Sequence, residues 1–303
     1  MDNRQCPLVS VVVPTFNRPT TLQRAIESIR SQTYSNLEII VVNDNLPGTE
    51  PDDLTRALME RYKLEDQLRC VSTAGGTGGG SARNFGCRLA RGEYLAFLDD
   101  DDVFLSDKIE TQLSFMVEHD LEMSWQDISW VDDSGQLVEH RRLNHCKDFS
   151  REGLLRAHLL RPISPTATYM MKRELFNRTK GFGEVLTGQD WWLMLRCIQC
   201  GARIGYMPEV HVHQFLHAGD RLSLGDNKIM GEISRHAAVR GYYHMLSSRD
   251  VRSIEFRHNA VLAVSSRRSG SWRRALHYLA LSAWASPTDF LREAIRYRRE
   301  ARR

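Results

Sequence analysis

The chain is predicted to fold as an α/β protein: a mostly parallel central sheet flanked by helices, with a helical C-terminal extension. Three observations carry this prediction. Short β-branched, apolar runs alternate with amphipathic stretches through the first hundred residues. The runs themselves do not alternate apolar with polar, so both faces of each strand must be covered, as in a parallel sheet between helices. Each run also stops at polar or charged residues, and in such sheets ligands sit at the carboxyl ends of the strands.

Residues 8–13, Leu-Val-Ser-Val-Val-Val, form the first strand, ended by Pro14. Pro19-Thr20-Thr21 opens a helix in which Leu22, Ala25, Ile26 and Ile29 recur at i, i+3, i+4 and i+7. A second buried strand covers 37–42 and stops at Asn43-Asp44-Asn45. A helix over 54–64, a short strand over 68–72, a glycine-entered helix over 81–90 and a strand over 94–98 complete a βαβαβαβ series. That order implies right-handed crossovers in a doubly wound sheet. Next come a helix over 108–119, a strand region over 123–132, a helix over 148–160 and a strand over 167–171. A glycine-rich turn then precedes a helix over 190–200. From about residue 226 the pattern is helical, broken near 266–271 and at Pro287. No repeat or low-complexity linker interrupts the chain.

With 42% hydrophobic and 26% charged residues in 303, the composition is that of a globular protein, which sets aside disordered and fibrous classes. The net charge of +3 is unevenly spread, with 12 arginines against four acids between 252 and 303. A basic tail on a mildly acidic body suits an anionic surface such as membrane lipid, and nucleic acid less well. A helix with a solvated arginine face explains it equally. Residues 1–7 are polar and lead straight into a strand, unlike a secretory signal. No apolar stretch reaches the roughly 18 residues that span a bilayer. The six cysteines show no framework spacing, and Cys197-Ile198-Gln199-Cys200 has no second pair to make a zinc site. Reduced thiols and a cytoplasmic location, with peripheral contact at the inner face of the membrane, are the expectation.

Four consecutive aspartates, Asp99 to Asp102, follow the strand Tyr94-Leu95-Ala96-Phe97-Leu98. Adjacent carboxylates repel one another unless a positive partner compensates them, and hard oxygen ligands suit Mg²⁺ or Mn²⁺. A solvated acidic loop is the competing reading. The cluster Gly75-Gly76-Thr77-Gly78-Gly79-Gly80 lacks the placement of a dinucleotide fingerprint and the Gly-Lys-Ser/Thr of a P-loop. Its backbone N–H groups can still approach a phosphate at a helix N-terminus, with Arg83 one turn in. Asp44, just past a strand end, can accept from an N–H such as a uracil imide, or serve as a turn residue.

Five blocks carry a resemblance. They are Ser10-Val11-Val12-Val13-Pro14-Thr15-Phe16-Asn17-Arg18, Leu37 to Asp44, Ser81-Ala82-Arg83-Asn84, Ala90-Arg91-Gly92-Glu93-Tyr94 and Phe97-Leu98-Asp99-Asp100-Asp101-Asp102. In this order and spacing the chain resembles family 2 glycosyltransferases of the GT-A fold, which is Rossmann-like, over roughly residues 8–225. The resemblance implies inverting transfer of a sugar from a nucleotide donor, usually UDP-linked, with Mn²⁺ or Mg²⁺. It implies a catalytic domain over 1–225 and a helical region over 226–303. Residues 1–102 would be the nucleotide-sugar half and 103–225 the acceptor half. Pro14, Thr15 and Asn17 match the loop beside the nucleoside, Asp44 the uracil-reading carboxylate, and Arg83 the arginine of the donor pocket. Asp99 and Asp101 match the DxD pair, with Asp101 the direct metal ligand and Asp100 facing away. Where the family often has Asp-Gly-Ser, this chain has Asp44-Asn45-Leu46.

Inversion needs a base for the acceptor hydroxyl. Gly188-Gln189-Asp190-Trp191-Trp192 stands where the family carries Glu-Asp at a helix start, which makes Asp190 the candidate, with Gln189 replacing the usual Glu. Asp190 can also cap the helix. At most one of Trp191 and Trp192 can face the site, because adjacent helical residues point about 100° apart. His211 and His213 fit a strand, whereas His217 matches a loop that closes over the diphosphate and is a candidate metal ligand. The expected partners are the nucleotide sugar and a glycan or lipid-linked acceptor of a bacterial surface polysaccharide, with no nucleic acid. A non-catalytic nucleotide-sugar-binding protein is the alternative. A nucleotidyltransferase would need a basic, glycine-rich loop after the first strand, which Pro14-Thr15-Phe16-Asn17 is not.

Overall fold

The computed structural model describes residues 6–163, 165–183, 185, 187–216 and 225–300. The chain divides into two units. The first, residues 1–155, 163–184 and 189–218, holds every strand of the described residues.

In that unit β1 (Val9–Thr15), α1 (Pro19–Arg30), β2 (Leu37–Asn43), α2 (Glu50–Glu60), β3 (Leu68–Ser72), α3 (Gly79–Leu89) and β4 (Tyr94–Phe97) follow in the expected alternation. The strands pair in parallel in the order β3-β2-β1-β4. Beyond β4 the sheet becomes mixed: β4 pairs antiparallel with β8 (Met170–Lys172), which pairs antiparallel with β6 (Met123–Val131). β6 runs parallel to β9 (Ile204–Phe215), and the two-residue β5 (Val103–Phe104) closes that edge against β9. Helices α4 (Lys108–Glu118), α6 (Arg173–Thr179) and α7 (Gln189–Gln199) join them, with α5 (Arg151–Leu160) beginning in this unit.

The predicted boundaries shift where local chemistry overrides periodicity. Helix α2 starts at Glu50, four residues early, because Pro51 favours a first turn and Glu50, Asp52 and Asp53 complement its dipole. The strand expected over 167–171 gives way to a 3₁₀ turn at Thr166–Thr168 before β8. β7 (Leu137–Arg141), a hairpin partner of β6, is exposed almost throughout and so has no apolar signature to read.

The core strands are sealed on both faces: Val9, Val11 to Val13, Ile39 to Val42 and Leu95 to Leu98 are all buried. Helix α3 lies close on β1 and β2, since a Cβ on Gly86 would stand 2.6 Å from Val12 Cγ1 and 2.9 Å from Val42 Cγ2. At the amino end of the strands, buried Glu38 accepts from Ser10 Oγ at 2.6 Å and from the Arg91 N–H and Nε at 2.6 and 3.0 Å.

The second unit, residues 156–162, 185–188 and 219–303, is helical among its described residues. It contains α8 (Gly225–Arg240), α9 (Ser248–Arg268), α10 (Trp272–Ala285) and α11 (Pro287–Glu300), with α9 packed on both α8 and α10. The break after Arg240 was not visible in the periodicity. Ser247 makes it, exchanging hydrogen bonds with Asp250 in a capping box that starts α9.

Candidate active site

The parallel register sets Thr15 beside Asn43 and Val12 beside Phe97, so the carboxyl ends of β1, β2 and β4 open on one edge. There the four aspartates take separate environments. Asp99, Asp101 and Asp102 each offer an oxygen to a group spanning no more than 4.8 Å. Asp102 is almost fully buried; Oδ1 accepts from the Phe215 N–H at 3.2 Å, while Oδ2 has no hydrogen-bond partner. Burial, then the charges of Asp99 and Asp101, hold its carboxyl well above the usual range. A buried oxygen without a donor, aimed into a carboxylate group, fits a hard divalent cation.

Asp100 turns from that group toward the loop after β1. It is buried, accepts from the Phe16 N–H at 3.4 Å and lies 3.6 Å from Arg18 Nη1. Burial pushes its carboxyl to about 7, with the Asp101 and Asp99 charges adding to the rise and Arg18 opposing it.

Arginines compensate the remaining charge. Arg18 pairs with the Asp101 carboxylate and Arg24 Nη2 donates to the Asp101 carbonyl at 2.9 Å. Arg83 pairs with Asp99 through Nη2 and donates to Gln189 Oε1 at 3.0 Å through Nη1. Arg83 therefore ties the aspartate cluster to the start of α7. Asp190, next in that helix, is half-buried and accepts from the Trp191 N–H at 2.8 Å. Burial raises its pKa; the Trp191 N–H and Arg83 act against this, and Asp99 adds to it. A carboxyl raised in this way is better matched to taking up a proton near neutral pH than an ordinary one. Trp191 is buried, edge-on to half-buried Trp192 at 4.9 Å between ring centroids, so only Trp192 retains an accessible face.

Asp44 is buried and heavily engaged. Its Oδ1 accepts from Thr73 Oγ1, from the Thr77 N–H at 3.0 Å and from Thr77 Oγ1 at 2.7 Å; Oδ2 accepts from the Gly78 N–H at 2.9 Å. The glycine loop thus spends two of its N–H groups on an internal carboxylate, where the sequence pattern had them approaching a phosphate. A buried charge demands such donors. The loop comes close enough because Gly75, at φ +91°, has no Cβ; one would meet Asn45 O at 2.8 Å. Pro14 is half-buried and Thr15 buried in β1, the Thr15 carbonyl accepting from the Asp44 N–H at 2.9 Å. Exposed Asn17 adopts φ +58° and donates its N–H to Asn45 Oδ1 at 2.6 Å.

Of the histidines, His211 bonds Asp107 at 2.8 Å and Glu209 at 3.0 Å, and His213 lies in the β5–β9 ladder. His217 lies outside the described residues. Among those described, no other group of three His, Cys, Asp or Glu residues converges as the aspartates do, and all six cysteines are free thiols.

Sequence reasoning counted Asp102 in the aspartate run without naming it as a ligand, and did not assign Arg18, Arg24 or Gln189 to the cluster. Arg18 and Asp102 stood inside the blocks that carry the resemblance, but a residue type alone does not show which way a loop side chain turns.

Carboxylates and arginines thus gather at the carboxyl edge of a mixed sheet. The chain belongs to glycosyl transferase family 2, whose model matches residues 10–179. Its fold is the GT-A fold, and the chain spans less than two thirds of the length of most of the relatives it matches, about a third of a Rickettsia felis protein. An uncharacterized glycosyltransferase of Rickettsia felis is 30% identical over 64% of this chain, a match spanning 32% of that protein's length. The Escherichia coli UDP-Glc:alpha-D-GlcNAc-diphosphoundecaprenol beta-1,3-glucosyltransferase WfgD is 27% identical over 46% of this chain and 54% of its own. Among solved structures, S. aureus TarS 1–349 in complex with UDP-GlcNAc superposes with a TM-score of 0.60 at 16% identity, covering 91% of each chain. The mannosyltransferase PcManGT of Pyrobaculum calidifontis, in complex with GDP-Man and Mn²⁺, gives 0.59 at 19% identity, covering 94% of this chain and 88% of its own. At such identities the likeness to these structures concerns the fold.

Proposed function

We propose that the protein transfers a sugar from a UDP-linked donor to a hydroxyl of a glycan or lipid-linked acceptor, with inversion, in the synthesis of a bacterial surface polysaccharide. The reaction takes place in the cytoplasm. The donor occupies the half formed by residues 1–102 and the acceptor the half formed by 103–225, with 226–303 as a helical region. The observation that carries this reading is the Arg83 bridge, which brings Asp190 into the same constellation as the aspartate cluster. The names of WfgD and the TarS complex support the choice of a UDP-sugar, and that of WfgD a lipid-linked acceptor.

In this reading Pro14, Thr15, Asn17 and Asp44 border the nucleoside, and Arg83 faces the donor with Asp99. Asp190 accepts the proton of the acceptor hydroxyl as its oxygen bonds to the anomeric carbon and the bond to the diphosphate breaks. Attack opposite the leaving group inverts the anomeric centre. Asp99, Asp101 and Asp102 would hold Mn²⁺ or Mg²⁺, with His217 as a further ligand. When bound, the ion stabilises the negative charge developing on the leaving diphosphate. Arg18 and Arg83, which pair with Asp101 and Asp99, border the donor diphosphate.

Asp190→Asn tests the central role. Turnover is expected to fall by roughly 10²- to 10⁴-fold, the usual worth of a general base, while UDP binding by calorimetry persists. Near-normal turnover would remove Asp190 as the base.

A further inference from the structure

The second unit carries a surface that the transfer reaction does not use. On α10, Trp272, Leu276, Leu279, Ala280, Ala283 and Trp284 recur at helical spacing, i, i+4, i+7, i+8, i+11 and i+12, and form one stripe. It lies open: Trp272 and Leu276 are each 62% exposed and Trp284 88%. Within the helix only Ala275 and Ser282, along one flank of the stripe, are buried. The stripe is about 18 Å long at 1.5 Å per residue. At the turn into α11 it meets an apolar cleft of 530 Å³ lined by Ala280, Ala283, Trp284 and Pro287. On α11 Leu291 is also 62% exposed. An apolar surface of this kind on an otherwise ordinary fold marks an interaction site.

Charge selects the occupant. Helix α10 contains no acidic residue; exposed Arg273, Arg274 and His277 border the stripe, and Arg267 lies 5.6 Å from the Trp272 ring centre. A second copy of the chain would bring the same arginines to the contact and repel. An anionic lipid surface satisfies both parts, with the indoles and leucines at the acyl boundary and the guanidinium groups among phosphates. No helix among the described residues is long and apolar enough to cross a membrane, so the mode is interfacial.

We infer that α10, up to the turn at Pro287, forms a docking face for an anionic membrane surface. This goes beyond the transfer reaction and does not depend on its catalytic assignments.

The test uses the full chain with vesicles of phosphatidylcholine alone and of phosphatidylcholine mixed with phosphatidylglycerol, read by co-sedimentation. Binding is expected only with the anionic vesicles and is expected to weaken with added salt. Arg273→Ala with Arg274→Ala should weaken it about thirty-fold, from the worth of two basic residues near an anionic surface. Trp284→Glu with Leu276→Glu should abolish it while leaving the melting temperature and donor hydrolysis in solution unchanged. Equal binding to neutral vesicles, or binding to neither, would overturn the inference. So would a concentration-dependent dimer in sedimentation velocity that the Trp284→Glu, Leu276→Glu variant dissolves. Loss of transfer in Asp190→Asn with intact vesicle binding separates the two proposals.

Discussion

Single residues in this protein show what burial does to charge. Lys108 is completely buried, its Nζ has no hydrogen-bond partner, and the Phe104 ring centre lies 4.2 Å away. Burial alone lowers its pKa to about 7. Between that value and the ordinary 10.5 the unfolded chain holds a proton that the folded chain has lost, so this residue's contribution to stability rises with pH there. Lys108→Met should stabilise the fold by about 1–3 kcal/mol at neutral pH, the cost of an unmatched buried polar group. It should also flatten the rise above pH 7 in denaturant titrations; a loss of stability would show that the amine has an unrecognised partner. Glu38 has the opposite sign. Burial works to raise its pKa, but Ser10, Arg91 and Arg69 together leave it below the usual value. Its stabilisation is therefore present above the ordinary carboxylate pKa and lost as pH falls through the depressed one. Glu38→Gln should cost about 1–3 kcal/mol at pH 7 and less at pH 3. An equal loss at both values would contradict this account.

At the scale of elements, α3 does two things at once. Its outer turn carries Arg83 to the site, and its inner face lies on β1 and β2 through Gly86. Gly86→Ala should destabilise by about 1–3 kcal/mol through overpacking against Val12 and Val42, measurable as a lower midpoint in urea. If α3 shifts outward, Arg83 moves with it, and turnover falls further than stability does. An unchanged midpoint would mean that the helix tolerates the extra carbon. The same two elements show which strands were legible. β1, β2 and β4 were readable because burial on both faces leaves an uninterrupted apolar run. β7 was not, because an exposed hairpin strand has no such constraint, and the two-residue β5 is defined only by its pairing with β9.

Across the first unit, opposite charges are set beside one another. Arg18 and Arg83 neutralise two carboxylates of a cluster that also contains the unpartnered Asp102 Oδ2. A nucleotide sugar that binds only the folded chain raises its apparent stability by about 2.7 kcal/mol at a hundred times its dissociation constant. UDP-sugars with Mn²⁺ are therefore expected to raise the melting temperature, and a chelator to remove most of that gain. An equal gain without metal would count against a metal at the cluster. A larger gain with a GDP-sugar would reassign the donor.

The sequence by itself determined the alternating α/β order, the gathering of charged residues at the carboxyl edge of the strands, and membership of a transferase family. These follow from local patterns: apolar runs long enough to be buried, and charged residues stranded at their ends. Tertiary structure decided what each charge faces. It turned Asp100 toward the loop after β1 and Asp102 into the cluster, set the glycine loop around Asp44, and linked Arg83 to Gln189 across 106 positions of chain. Four adjacent aspartates look alike in one dimension. They differ only when burial, neighbouring charge and hydrogen-bond donors from distant segments act on each of them separately.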